Sequence, residues 1–196
     1  MKKKTFLLIN VLLIFIIILL ETKYNGLLSD FDLKVSEFVW SFRSSFLTSI
    51  MKFISFLASF KFIIIILIIV IIIKKDIYFP LNMSISTLIN ILLKRIFKRV
   101  RPQNIIVIEK TYSFPSGHAM SSMSFYGYII YKVYNSKISI IYKRFIISLL
   151  SILILLIGFS RIYLGAHYLS DVVCGYLISL EYLIIYLTVL KIVTKK

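Results

Sequence analysis

The twelve residues from Phe62 to Ile73 are phenylalanine, isoleucine, leucine and valine without one polar side chain among them. A helix made of such a block has no face to offer water, whereas in lipid it needs none, because its backbone hydrogen bonds are satisfied internally. Composition agrees: of 196 residues, 60% are hydrophobic and 16% charged, against about 25% charged in a soluble domain. The chain is therefore read as all-α and polytopic, a single domain over residues 1–196.

A spanning helix needs roughly 20 mostly apolar residues, and six segments qualify: 5–21, 54–73, 77–97, 116–134, 145–163 and 170–190. The first begins behind Lys2-Lys3-Lys4, as a signal peptide would, but runs into Leu20-Glu21-Thr22-Lys23 with no small-residue cleavage site; it is read as a retained anchor. Neither an internal repeat nor a low-complexity linker interrupts the series.

The net charge of +16 raises the question of nucleic-acid binding. The basic residues answer it by lying at the ends of the apolar blocks, where they anchor to headgroups and set orientation, so no nucleic-acid partner is expected. With six spans, both termini share a side with segments 74–76 and 135–144. That side carries 12 basic residues, among them Lys74, Lys75, Lys132, Lys143 and Arg144, against one acid, Asp76, so by the positive-inside rule it is cytoplasmic. Cys174 is the single cysteine; an intramolecular disulfide is impossible, and a zinc site built on cysteines is excluded.

Between the first two spans, Phe31, Val35, Phe38, Val39, Phe42, Phe46, Ile50 and Phe53 recur at helical spacing, interrupted by Asp30, Lys34, Glu37 and Arg43. Residues 28–53 are expected to form an extracytoplasmic amphipathic helix in the interface, with Trp40 at a depth that suits tryptophan. Such a helix serves either to close the bundle or to guide lipid inward.

Three polar clusters fall at the outer ends of spans on one side. Lys94 and Arg101 are seven residues apart, about 20° short of two helical turns, which places them on one helix face, and Pro102 ends the helix. Arg95, Lys98 and Arg99 are read as interfacial anchors. Phe114-Pro115-Ser116-Gly117-His118 opens the fourth span: free N–H groups of a helix start make an anion site, Gly117 allows close approach, and Ser116 adds a hydroxyl. In the third cluster, Ser160-Arg161 precedes His167 and Asp171, an i, i+4 pair in which the carboxylate can fix the imidazole tautomer. Each cluster alone is also explained by capping or anchoring. Together, three cations, a helix N-terminus, one oriented imidazole and a second imidazole make a metal-free phosphoryl-transfer set.

These residues resemble the type 2 phosphatidic acid phosphatase family, whose signature is lysine, six residues, Arg-Pro; then Pro-Ser-Gly-His; then Ser-Arg, five residues, histidine, three residues, aspartate. Every position is present between Lys94 and Asp171. The length and the anchor before the outer helix are similar to the bacterial phosphatidylglycerophosphatase and undecaprenyl pyrophosphate phosphatase branch. The resemblance implies His167 as nucleophile, Asp171 as its orienting group, His118 as acid and base, and Lys94, Arg101, Ser116, Gly117 and Arg161 as the phosphate cradle. It implies hydrolysis of a membrane lipid phosphate or pyrophosphate through a phosphohistidine, with no cofactor and no obligate protein partner.

Two alternatives compete with this reading. Zinc held by His118, His167 and Asp171 would be repelled by three neighbouring cations. A transporter or scaffold would also suit six spans, but would need no intact pair of histidines. Glu181, about 15 Å along the last span from Asp171 by helical rise, is expected to be neutral and hydrogen-bonded to a tyrosine. Met120 and Met123 are read as packing.

Overall fold

The computed structural model describes residues 27–194. The anchor expected at 5–21 lies outside them. The described residues form seven helices: α1 (Leu27–Ser41), α2 (Ser45–Phe56), α3 (Phe60–Lys74), α4 (Tyr78–Phe97), α5 (Gly117–Tyr134), α6 (Ile140–Tyr163) and α7 (Leu169–Thr194). Among the described residues, three helical stretches are long and apolar enough to cross a membrane: Ser45–Lys74, which joins α2 and α3, then α6 and α7.

Helices α4 and α5 coincide with the segments expected at 77–97 and 116–134 but carry more polar side chains, and these face inward. Asn82 donates from Nδ2 to the Ser124 carbonyl at 3.0 Å, and the Ser86 and Ser124 hydroxyls meet at 2.7 Å, all three side chains being buried. Interhelical hydrogen bonds of this kind join helices where lipid supplies no hydrophobic drive. α5 is the hub, packing on α4, α6 and α7. Tyr128 stacks on Phe79 with ring centroids 4.5 Å apart, and Phe125 lies against the same ring at 5.0 Å. The tyrosines of α7 reach outward: Tyr182 donates to the Asn82 carbonyl at 2.9 Å, Tyr186 to that of Tyr78 at 2.5 Å, and Tyr176 to that of Ile154. The other surfaces of α3 and α6 remain apolar and exposed, as Ile65, Ile72, Phe145 and Leu155 show.

Three expectations are corrected. The single amphipathic helix over 28–53 is two helices. The chain turns at Phe42–Ser44, where Ser44 Oγ accepts from the Leu47 N–H at 3.2 Å and caps α2, while its own N–H donates to the Tyr163 hydroxyl at 3.0 Å. The span expected at 54–73 likewise starts within α2, and Ser59 caps a fresh helix, α3, by accepting from Phe62 N–H at 3.3 Å. Glu181 is buried, yet its Oε1 has no hydrogen-bond partner, so the tyrosine partner expected there is not found at that oxygen.

Candidate active site

The three sequence clusters meet at one end of the bundle, and backbone bonds between segments hold them there. Ser116 N–H donates to the Asp171 carbonyl at 3.0 Å, joining the start of α5 to the first turn of α7. Ser113 N–H donates to the Arg99 carbonyl at 2.8 Å, folding the 98–116 loop back on itself. Between α6 and α7, Ala166 N–H donates to the Arg161 carbonyl at 3.0 Å, and Gly165 adopts a φ of 71° to make that turn. A side chain at 165 would bring its Cβ within 2.1 Å of the Asn104 carbonyl oxygen, so only glycine fits.

His167 sits on that turn, 2% exposed, with Nδ1 3.5 Å from Asp171 Oδ2. Ser113 stands beside the pair: its hydroxyl donates to Asp171 Oδ2 and lies 3.4 Å from His167 Nδ1. With Asp171 ionised, the ring proton belongs on Nδ1, shared between the carboxylate and the Ser113 oxygen. Nε2 then carries the lone pair, and Arg101 Nη1 donates to it at 3.2 Å. Burial holds the imidazole well below its ordinary value, down to about 4, against the opposing pull of Asp171. The ring is therefore neutral at physiological pH, which is the form a nucleophile needs.

Lys94, Arg101 and Arg161 come together, but the expected shared helix face of Lys94 and Arg101 is corrected. α4 closes at Phe97, with Lys98 in the left-handed region at φ 46°, so Arg101 belongs to the loop that follows. The loop curls back, and Lys94 Nζ and Arg101 Nη2 both donate to the Tyr112 carbonyl, the latter at 3.2 Å. Arg101 also donates to the carbonyls of Ala166 and Thr111, each at 2.6 Å. Arg161, 2% exposed, donates from Nη1 to the Ser55 hydroxyl at 2.5 Å, and its Nε is buried with no hydrogen-bond partner. Ser116 is fully buried, and its Oγ accepts from Ala119 N–H at 3.4 Å, capping α5. Gly117 follows directly, and His118 lies within electrostatic reach of His167, Arg161, Arg101 and Lys94.

Two cavities border this cluster. One, about 640 Å³, is lined by Lys94, Arg95, Arg99, Arg101, Glu109 and Lys110. The other, about 680 Å³, lies between α3, α4 and α5, is lined mainly by Ile64, Leu67, Ile68, Met83 and Leu88, and reaches Gly117 and His118. Ile91 lines both.

Sequence reasoning missed four participants. Arg99, read as an anchor, instead pairs with Asp171 Oδ1 and with Asp32 Oδ2, each at 2.8 Å. Ser113 and Asp32 carried no local signal. Glu109 bridges two arginines of the expected cradle, pairing with Arg161 and, at 3.4 Å, with Arg101. A cue existed for Glu109 alone, as an acid among the cations of an outer loop.

The sequence profile described as the PAP2 superfamily matches residues 77–195. Phosphatidylglycerophosphatase B of Bacillus subtilis (strain 168) is 35% identical over 99 residues, 47% of each protein. Lipid phosphate phosphatase delta of Arabidopsis thaliana is 37% identical over 82 residues, 40% of this chain and 19% of that protein. The chain thus aligns with about half or less of the length of these relatives. Among solved structures, a transmembrane PAP2 type phosphatidylglycerolphosphate phosphatase from Bacillus subtilis superposes with a TM-score of 0.84 at 25% identity, covering 97% of both chains. LpxE of Aquifex aeolicus gives 0.67 at 25% identity, covering 80% of this chain and 94% of its own. With the profile matching more than half of its residues, the chain belongs to the PAP2 superfamily.

Proposed function

We propose that this protein is a membrane-embedded lipid phosphatase that removes phosphate from a lipid phosphate or pyrophosphate through a phosphohistidine on His167. One arrangement carries the reading: a neutral imidazole, backed by Asp171 and Ser113, presents Nε2 to Arg101, which lines the cation-rich cavity, while His118 lines the apolar one, and the two cavities share Ile91. A cation-lined cavity suits a phosphate headgroup. An apolar one suits its hydrocarbon chains.

Lys94, Arg101 and Arg161 hold the non-bridging oxygens, the arginines through their planar forks. Arg161 Nε, unpaired and buried, is a donor awaiting such an oxygen. Ser116, which caps α5 through its oxygen, keeps its proton to donate, and the Gly117 N–H completes the cradle. His167 Nε2 attacks phosphorus in line, the bond from phosphorus to the departing oxygen breaks, and His118 gives that oxygen a proton. Water then attacks the phosphohistidine while His118 takes a proton back, the P–N bond breaks, and inorganic phosphate leaves. Charge developing on the phosphoryl oxygens is met by groups already in place.

The relatives' names favour phosphatidylglycerophosphate, and phosphatidate and undecaprenyl pyrophosphate present the same chemistry. In the proposed topology six helices span the bilayer, both termini are cytoplasmic, α1 and α2 lie toward the outer interface, and the site faces outward. Phosphate release by purified protein from these three lipids in mixed micelles tests the function. Release from at least one is expected, and no release from any refutes the reading.

A further inference from the structure

Asp32 lies in the middle of α1, the first of the described helices, yet it is 1% exposed. A buried carboxylate is retained only where charge and hydrogen bonds compensate it, and here every partner leads to the His167–Asp171 pair. Asp32 Oδ2 accepts from Arg99 Nη2 at 2.8 Å and from the Ser170 hydroxyl, and Oδ1 accepts from the Ser170 N–H at 3.0 Å. Arg99 reaches the other way, Nη1 donating to Asp171 Oδ1 at 2.8 Å and to the Ser170 hydroxyl at 2.7 Å, while its guanidinium lies 4.4 Å above the Tyr168 ring.

We propose that Asp32 is a positioning residue of the reaction, the far end of a chain His167–Asp171–Arg99–Asp32 that sets how strongly Asp171 supports the imidazole. The proposal rests on the phosphatase reading above. Asp171 must stabilise positive charge on His167 when phosphorus is attacked, but a guanidinium 2.8 Å from its other oxygen draws that negative charge away. Asp32 opposes the draw by engaging the second nitrogen of the same fork, so the guanidinium is divided between two carboxylates. The alternation of sign along the chain leaves one net negative charge for the imidazole. The Ser170 contacts add geometry: Asp32 accepts from an N–H in the first turn of α7, the turn that holds Asp171.

A merely structural Asp32 would change how much protein folds, not how the folded protein turns over, so the test is a double-mutant cycle on kcat. Asp32→Asn keeps the shape and removes the charge. It is expected to lower kcat about tenfold with KM within twofold, because the phosphate cradle is untouched. In an Asp171→Asn background the same change is expected to cost less than twofold further, since the group it acts through is gone. Wild-type kcat in Asp32→Asn, or losses that multiply in the double variant, overturns the proposal. Arg99→Lys, which cannot serve both carboxylates with one fork, enters the same cycle if Asp32→Asn yields no folded protein. Wild-type turnover in the parent assay tests the phosphatase reading separately, since every comparison here is a ratio to that value.

Discussion

Arg101 shows why a conservative replacement in the proposed site is expected to cost activity. Its Nη1 donates to both the Ala166 carbonyl and His167 Nε2, while Nε and Nη2 hold the Thr111 and Tyr112 carbonyls. A lysine has one point of charge and cannot reach the loop, the turn and a phosphate together. Arg101→Lys and Arg161→Lys are each expected to lose at least about tenfold in kcat/KM, roughly 1.4 kcal/mol of transition-state binding; wild-type efficiency in both would make them anchors only. His167 carries a pH signature as well. Its value of about 4 in the fold lies below about 6.5 in an unfolded chain, so the unfolded state takes up the extra proton in that window and stability falls as pH drops through it. The melting temperature in detergent should therefore decline between pH 6.5 and 4 more steeply in wild type than in His167→Gln. Equal slopes would show that the ring is not buried as described.

At the scale of elements, the loop between α6 and α7 decides where His167, the proposed nucleophile, stands. Gly165 turns it with positive φ, and Arg43 fastens it from the α1–α2 turn, donating to the carbonyls of Tyr163 at 2.9 Å and Asn104 at 3.0 Å. Gly165→Ala should cost about 1–3 kcal/mol of stability through backbone strain and lower kcat with it, measured by thermal unfolding and turnover on one preparation. Full activity and stability would mean that the turn relaxes freely. This level also separates what the sequence disclosed from what it withheld. The apolar blocks and the Lys94, Pro115 and Arg161 clusters were legible because periodicity and spacing are local properties of a chain. The breaks at Phe42–Ser44 and Leu57–Ser59 were not, since serine caps within an apolar run look like ordinary interruptions until the helices are seen. Asp32 and Ser170 are 138 positions apart, and no spacing rule joins such a pair. Arg99 was misread because a basic residue at a helix end has the same appearance whether it meets headgroups or a buried carboxylate.

For the whole molecule, sidedness decides which lipids are accessible. α5 runs from Gly117 beside the site to Tyr134 at the other end, 18 residues or roughly 27 Å, so exposed Gln103 and Asn135 lie on opposite membrane faces in the proposed topology. In a Cys174→Ser background, a cysteine at 103 should react with an impermeant maleimide on intact cells and one at 135 only after the membrane is opened. The reverse pattern would invert the topology and leave the chemistry untouched. The chemistry itself is tested most directly by trapping the intermediate: purified protein is mixed with a lipid carrying radiolabelled headgroup phosphate, quenched in base during turnover, and compared with His167→Ala. Wild type is predicted to retain label that acid removes, while His167→Ala retains neither label nor turnover. Near-wild-type phosphate release by His167→Ala would contradict the assignment of His167 as the group that carries the phosphate.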